Sequence, residues 1–174
     1  MIHLDFIHAA ASPIADYTQK QLSNYFHLLL KEDKTERHIP VELIFGIPLP
    51  DLATPASYDL DDQYQIIATP YRLKISASNP RSILLGVYRL LTELGCRFPM
   101  PGIEHEYIPQ IRLEEINVYV CESASFRHRG VCIEGADSLK NILDFIDWLP
   151  KTGCNSFFVQ HFEPEVFLNN WYSH

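Results

Sequence analysis

The chain has 174 residues, of which 47% are apolar and 21% charged, and a net charge of −8. That length holds one ordinary domain or a small domain with part of a second, and the composition is that of a packed protein rather than a disordered one. No basic run occurs anywhere, which excludes nucleic acid as a partner, and no apolar run approaches the ~18 residues of a membrane span.

Residues 2–8 alternate apolar (Ile2, Leu4, Phe6) with polar (His3, Asp5) and read as a half-buried strand. Neither a basic leader nor a long apolar stretch is present here, so no signal peptide is read and a cytoplasmic protein is expected. Ser12-Pro13 has helix-start chemistry, a capping hydroxyl followed by a proline at the first helical position. Ile14, Tyr17, Leu22, Tyr25, Phe26 and Leu29 carry that helix to about Lys31. A charged loop (31–37), a strand (41–47) and a surface loop rich in Asp, Pro, Ala and Ser (51–62) come next. Residues 64–68 and 71–76 read as a hairpin broken by Thr69-Pro70. Asn79-Pro80 repeats the helix-start chemistry. Ile83, Leu84, Val87, Leu90, Leu91 and Leu94 then form the clearest apolar stripe, stopped at Gly95. Residues 107–111 and 116–120 read as short strands.

Organisation changes near 122–125. Downstream lie a short strand (130–133), a helix with the stripe Leu139, Ile142, Leu143, Ile146 and Leu149, closed by Pro150 and Gly153, and a strand (156–160). Strand, helix and strand with short connections make a βαβ unit, which requires parallel pairing. Hairpin-type order upstream and βαβ order downstream divide the chain into residues 1–122 and 123–174. The fold class expected is α+β, a mixed sheet packed with two helices, followed by the opening of a (β/α) barrel.

Four stretches carry a family resemblance. Ser76 through Tyr88 (SASNPRSILLGVY) is similar to the strand, Pro-Arg-Gly, Gly-Val-Tyr signature of the accessory domain preceding the barrel in family 20 β-N-acetylhexosaminidases. A domain of the same kind precedes the barrel of family 67 α-glucuronidases. Leu91 through Gly102 (LTELGCRFPMPG) resembles the element that follows. Ser125 through Val131 (SFRHRGV) resembles the opening of the first barrel strand, and Leu149 through Phe157 (LPKTGCNSF) the entry to the second. The resemblance implies a hexosaminidase domain 2-like accessory domain and a glycoside hydrolase acting on amino-sugar or uronic-acid glycosides. Glu134 stands where the family 20 pattern has an Asp.

Glycoside hydrolysis uses paired carboxylates, or one acid with a substrate acetamido group. In the resembling families these acids follow the second barrel strand, so they are expected beyond residue 174, with the chain inactive alone. Sugar-binding candidates are Arg129, whose planar fork suits hydroxyls or a carboxylate, with Glu134 and His161 near the C-terminal ends of the strands. Arg129 precedes its strand and equally suits a structural pairing. Carbohydrate is the expected partner through the complete enzyme, and an unclosed barrel edge favours self-association. The alternative is a stand-alone module that binds carbohydrate or protein, with Trp148, Trp171 and Tyr172 as stacking groups. No His/Cys spacing fits a metal site and no glycine-rich loop fits a phosphate, so neither metal nor cofactor is expected. Cys96, Cys121, Cys132 and Cys154 are scattered and read as reduced, buried and structural. Asp61-Asp62 and Glu114-Glu115 read as solvated surface pairs.

Overall fold

The structure is a computed structural model, and it describes residues 2–9, 12–31, 36–134 and 138–160, with positions 165 and 169. The chain is α+β and divides into two compact units, residues 1–97 with 107–127, and residues 98–106 with 128–174. No helix among the described residues is long and apolar enough to cross a membrane.

The first unit is a five-stranded mixed sheet in the order β1-β2-β4-β3-β5. Its strands are β1 (Ile2–Ala9), β2 (Arg37–Phe45), β3 (Gln63–Thr69), β4 (Arg72–Ala77) and β5 (Val118–Ser123), with helices α1 (Pro13–Leu29) and α2 (Pro80–Glu93). The hairpin reading holds for β3 and β4, which are antiparallel, but β1–β2 and β2–β4 are parallel. Helix α1 supplies the crossover between β1 and β2, and β3 with the loop before it lies between β2 and β4 in the chain.

Helix α1 is capped as its sequence indicates, Ser12 Oγ accepting from the amide of Ile14 at 3.3 Å. Its buried line is Ala15, Thr18, Leu22, Tyr25, Phe26 and Leu29. Stepping back from Leu22 by four and seven residues reaches Thr18 and Ala15, so Ile14 and Tyr17 fall on the exposed side. The buried Thr18 hydroxyl donates to the Ile14 carbonyl at 2.7 Å. Helix α2 packs closely on the sheet at Gly86. A side chain at Gly86 would place its Cβ 3.0 Å from Ile75 Cγ2 and 3.5 Å from Tyr64 Cβ. Two residues on, Tyr88 is buried, meets the Tyr25 ring edge-on at 6.0 Å and donates its hydroxyl to Gln21 Oε1 at 3.3 Å. Gly86-Val87-Tyr88 thus has a packing reason, because Gly lets the helix close on the sheet and Tyr ties it to α1.

Residues 107–111 do not form a strand. They contribute isolated bridges from Tyr107 to Arg97 and from Ile111 to Leu30. Pro109 lies between them and has no amide proton to continue a ladder. Strand β5 begins at Val118, later than the apolar run at 116–120 indicates, because Leu113–Glu115 turns as a 3-10 helix and Ile116 is buried.

The second unit contains β6 (Gly130–Glu134), α3 (Leu139–Lys151) and β7 (Ser156–Gln160), with β6 and β7 parallel. Pro150 lies inside the last turn rather than ending the helix, and Gly153 at φ 81° closes it. Phe145 of α3 stacks on Phe157 at 6.1 Å and meets Trp148 edge-on at 5.9 Å. Val131 pairs with Phe157 and Cys132 with Phe158, so the last two share the face turned away from α3, and both are exposed. Of the cysteines read as buried, only Cys96 is so; Cys121 and Cys154 are half-buried. For Cys132, strand alternation decides against burial.

Residues 98–106 belong to this unit. Trp148 Nε1 donates to the Phe98 carbonyl at 2.8 Å. Lys151 Nζ, buried, pairs with Glu106 at 2.5 Å and with Asp147, and lies 5.9 Å from the Phe98 ring centre. An ammonium so enclosed is retained because both carboxylates neutralise it. The tightest contact is at Gly130, where a Cβ would fall 1.9 Å from the Ser156 carbonyl oxygen. Gly130→Ala is therefore expected to destabilise the second unit by about 3 kcal/mol. Urea unfolding followed by tryptophan fluorescence should register the loss; an unchanged midpoint would contradict the contact.

Candidate functional site

In the first unit, a cleft of about 310 Å³ opens between residues 53–63 and 123–127. Its geometry starts from the N-terminus of α2. Asn79 caps that helix, its side-chain oxygen accepting from the Ser82 amide at 2.9 Å. Pro80 and Arg81 follow, and the first turn holds no acid. A cation in the first turn opposes the helix dipole, so a carboxylate must come from elsewhere.

Asp62 supplies it. Its carboxylate is fully buried and accepts from Arg81 Nε at 3.0 Å, Arg81 Nη2 at 2.8 Å, Ser82 Oγ at 2.8 Å and Asn79 Nδ2 at 3.3 Å. The expected solvated pair Asp61-Asp62 is thus corrected for one member. Adjacent side chains diverge, as adjacency requires, but Asp62 turns into the protein. The signal for it was Arg81, a first-turn arginine that needs an acid.

The same network pins the cleft's wall. Ser78 Oγ donates to the Asp61 carbonyl at 2.6 Å, and Asn79 Nδ2 donates to the Tyr58 carbonyl at 2.9 Å. Gln63 Nε2 donates to the Ala53 carbonyl at 3.0 Å and to Ser123 Oγ at 3.3 Å, joining the loop to the end of β5. The Ala124 amide donates to the Asp62 carbonyl at 2.8 Å. Arg127 then spans the cleft, its Nε donating to Asp61 Oδ1 at 2.6 Å and an Nη to Oδ2 at 3.4 Å. The Arg127 hydrogen bond, then the Ser57 amide, hold the Asp61 carboxyl below the usual aspartate range. An acid held ionised in this way accepts hydrogen bonds and does not supply protons.

Cys121, on β5, has its thiol pushed up by burial first and by the charge of Asp51 second, the reverse of an activated nucleophile. On the β1–β2 edge His3 stacks on His38 at 5.1 Å, and the two pair with Glu36 and Asp5. Among the described residues no group of three or more His, Cys, Asp or Glu side chains is arranged to hold a metal ion.

The residues singled out for sugar contact lie in the second unit. Arg129 precedes β6, where its amide donates to Asn155 Oδ1 at 3.0 Å and its Nε to the Gly153 carbonyl at 2.9 Å. Its own carbonyl accepts from the amides of Asn155 and Ser156 at 2.8 and 3.0 Å. Glu134 is at the other end of β6, with its backbone opposite Gln160. Its side chain, with all of His161, Trp171 and Tyr172, lies outside the described residues. The strand separates Arg129 and Glu134 rather than bringing them together.

The Asp61–Arg127 pair has a pH consequence. A carboxyl whose folded pKa is lowered contributes stability that is complete above its unfolded value and lost as pH falls through the folded one. Closure of residues 123–127 onto the loop should therefore hold down to about pH 4 and weaken below it. Amide exchange in 123–127, compared between the parent and Asp61→Asn, checks this. The parent should lose protection on acidification while the variant starts lower and changes less; parallel profiles would contradict the assignment.

No protein-family model matches the chain, and no curated protein matches it. One similar solved structure is that of a GH138 enzyme targeting pectin rhamnogalacturonan II, at a TM-score of 0.47 and 12% identity over 77% of this chain and 13% of that one. The neighbour is a glycoside hydrolase, and this chain spans 13% of its length.

Proposed function

We propose that the chain is the non-catalytic leading portion of a glycoside hydrolase acting on amino-sugar or uronic-acid glycosides. The observation that carries this reading is the order of architecture, a mixed α+β sheet followed by a parallel βαβ unit with Gly130 at its tight entry. Parallel sheets are covered on both faces. Phe158 and Cys132 are exposed on the face turned from α3, and in a barrel that face is the interior. The ordered resemblance to family 20 and family 67 enzymes supports the same reading and supplies the substrate class.

In this proposal Glu134, the last residue of β6, and His161, the residue that follows β7 in sequence, contribute to the mouth where barrel enzymes bind substrate. Arg129, at the opposite end, holds the β6–β7 entry through Gly153 and Asn155. The described residues form no closed barrel, and the catalytic carboxylates belong to further strand–helix units. The outer edges of β6 and β7, unpaired among the described residues, are where such units, or a second copy of the chain, would add.

The test compares the 174-residue chain with the polypeptide from the complete reading frame, on aryl β-N-acetylglucosaminides and aryl α-glucuronides. The short chain should release no aglycone, the complete protein should turn over one of the two, and Glu134→Gln in the complete protein should raise KM more than it lowers kcat. Turnover by the short chain alone would overturn the proposal.

A further inference from the structure

We infer that the cleft between residues 53–63 and 123–127 of the first unit is a binding site for a neutral pyranose sugar. The inference does not depend on the proposed hydrolase function. It rests on the cleft's size, charge balance and one exposed ring.

At about 310 Å³ the cleft lies at the small end of ligand sites, enough for a single sugar ring. Its walls mix hydrogen-bonding groups with small apolar residues, and the polar groups are the larger share. Asp61, Arg127, Thr54, Ser123 and Ser125 are among its lining residues, with Pro55 and three alanines beside them. An apolar ligand would strip water from those groups and return nothing. The occupant must therefore hydrogen-bond around its perimeter.

Charge narrows the class. Asp61 and Arg127 are paired across the cleft, so a charged ligand would be attracted by one and repelled by the other. The net charge of −8 disfavours an anion further. A neutral polyol meets both groups, its hydroxyls donating to the carboxylate and accepting from the planar guanidinium fork.

Phe126, another lining residue, separates a cyclic sugar from an open-chain polyol. It is 72% exposed although its neighbours Ala124 and Arg127 are held by hydrogen bonds to Asp62 and Asp61. A pyranose has a face of C–H groups that packs on such a ring while its edge hydroxyls reach the polar wall. The surrounding network keeps this arrangement preformed, so little ordering cost attaches to binding.

The experiment is a titration of the isotopically labelled 174-residue chain with methyl β-D-glucopyranoside, followed by amide chemical shifts, with methyl α-D-galactopyranosiduronate as the anionic arm. Saturable shifts confined to 53–63 and 123–127 are expected for the neutral sugar, with a weaker response to the uronate. Phe126→Ala, at an exposed position, should leave the unliganded spectrum otherwise intact and weaken binding roughly 5-fold to 10-fold. Absence of saturation up to about 50 mM, an unchanged Phe126→Ala affinity, or preference for the uronate would each overturn the inference. So would shifts confined to 128–160, an outcome that leaves the hydrolase proposal standing; a silent cleft in an active complete enzyme would likewise separate the two.

Discussion

An arginine in the first turn of α2 meets no negative charge within that turn, and the geometry of the neighbouring loop follows from how Asp62 supplies one. The carboxylate is fully buried and takes hydrogen bonds from Arg81, Ser82 and Asn79. Burying an ion without partners would cost several kcal/mol, so the loop can hold Asp62 there only while α2 presents all three donors. Once Asp62 is fixed, its chain neighbours are fixed too. Asp61 faces Arg127, and Gln63 reaches Ala53 and Ser123. The cleft is thus a by-product of a helix cap and its counter-ion.

Backbone proximity organises the second unit. Gly130 allows the Ser156 carbonyl to approach where a methyl group would clash, and Arg129 brackets the same junction through Gly153 and Asn155. From the last two turns of α3, Lys151 holds Glu106 and Trp148 holds the Phe98 carbonyl. A segment far upstream in sequence therefore belongs with the βαβ unit. Gly130 acts here through close backbone packing and Arg129 through its hydrogen bonds to the β6–β7 entry.

Much of this was legible in the amino-acid order. Ser12-Pro13 and Asn79-Pro80 marked the two helix starts, Gly95 a stop, and the apolar run 156–160 a strand, because each signal is local chemistry. What pattern alone missed depended on distant partners. The parallel pairing of β1 with β2 was missed although a helix separates the two strands, because the hairpin at 64–76 set the reading of the whole upstream part. The burial of Asp62 needs Arg81, and the failure of 107–111 to form a strand needs both Pro109 and the lack of a continuous partner. The site residues show the same division. Arg129 reads in the sequence as a sugar contact or as a structural pairing, and its bonds to Gly153 and Asn155 needed the β7 entry to be placed; the Asp61–Arg127 cleft joins positions too far apart in sequence for any spacing to suggest.

The central claim is that Asp62 and Arg81 are one unit whose loss releases the loop. A double-mutant cycle on Asp62→Ala and Arg81→Ala, read by urea unfolding of the sheet's far-ultraviolet circular dichroism, measures it directly. A coupling energy of about 2 kcal/mol is predicted, since each single change strands the other group. Additive effects, with coupling under about 0.5 kcal/mol, would show that the loop is held by something else.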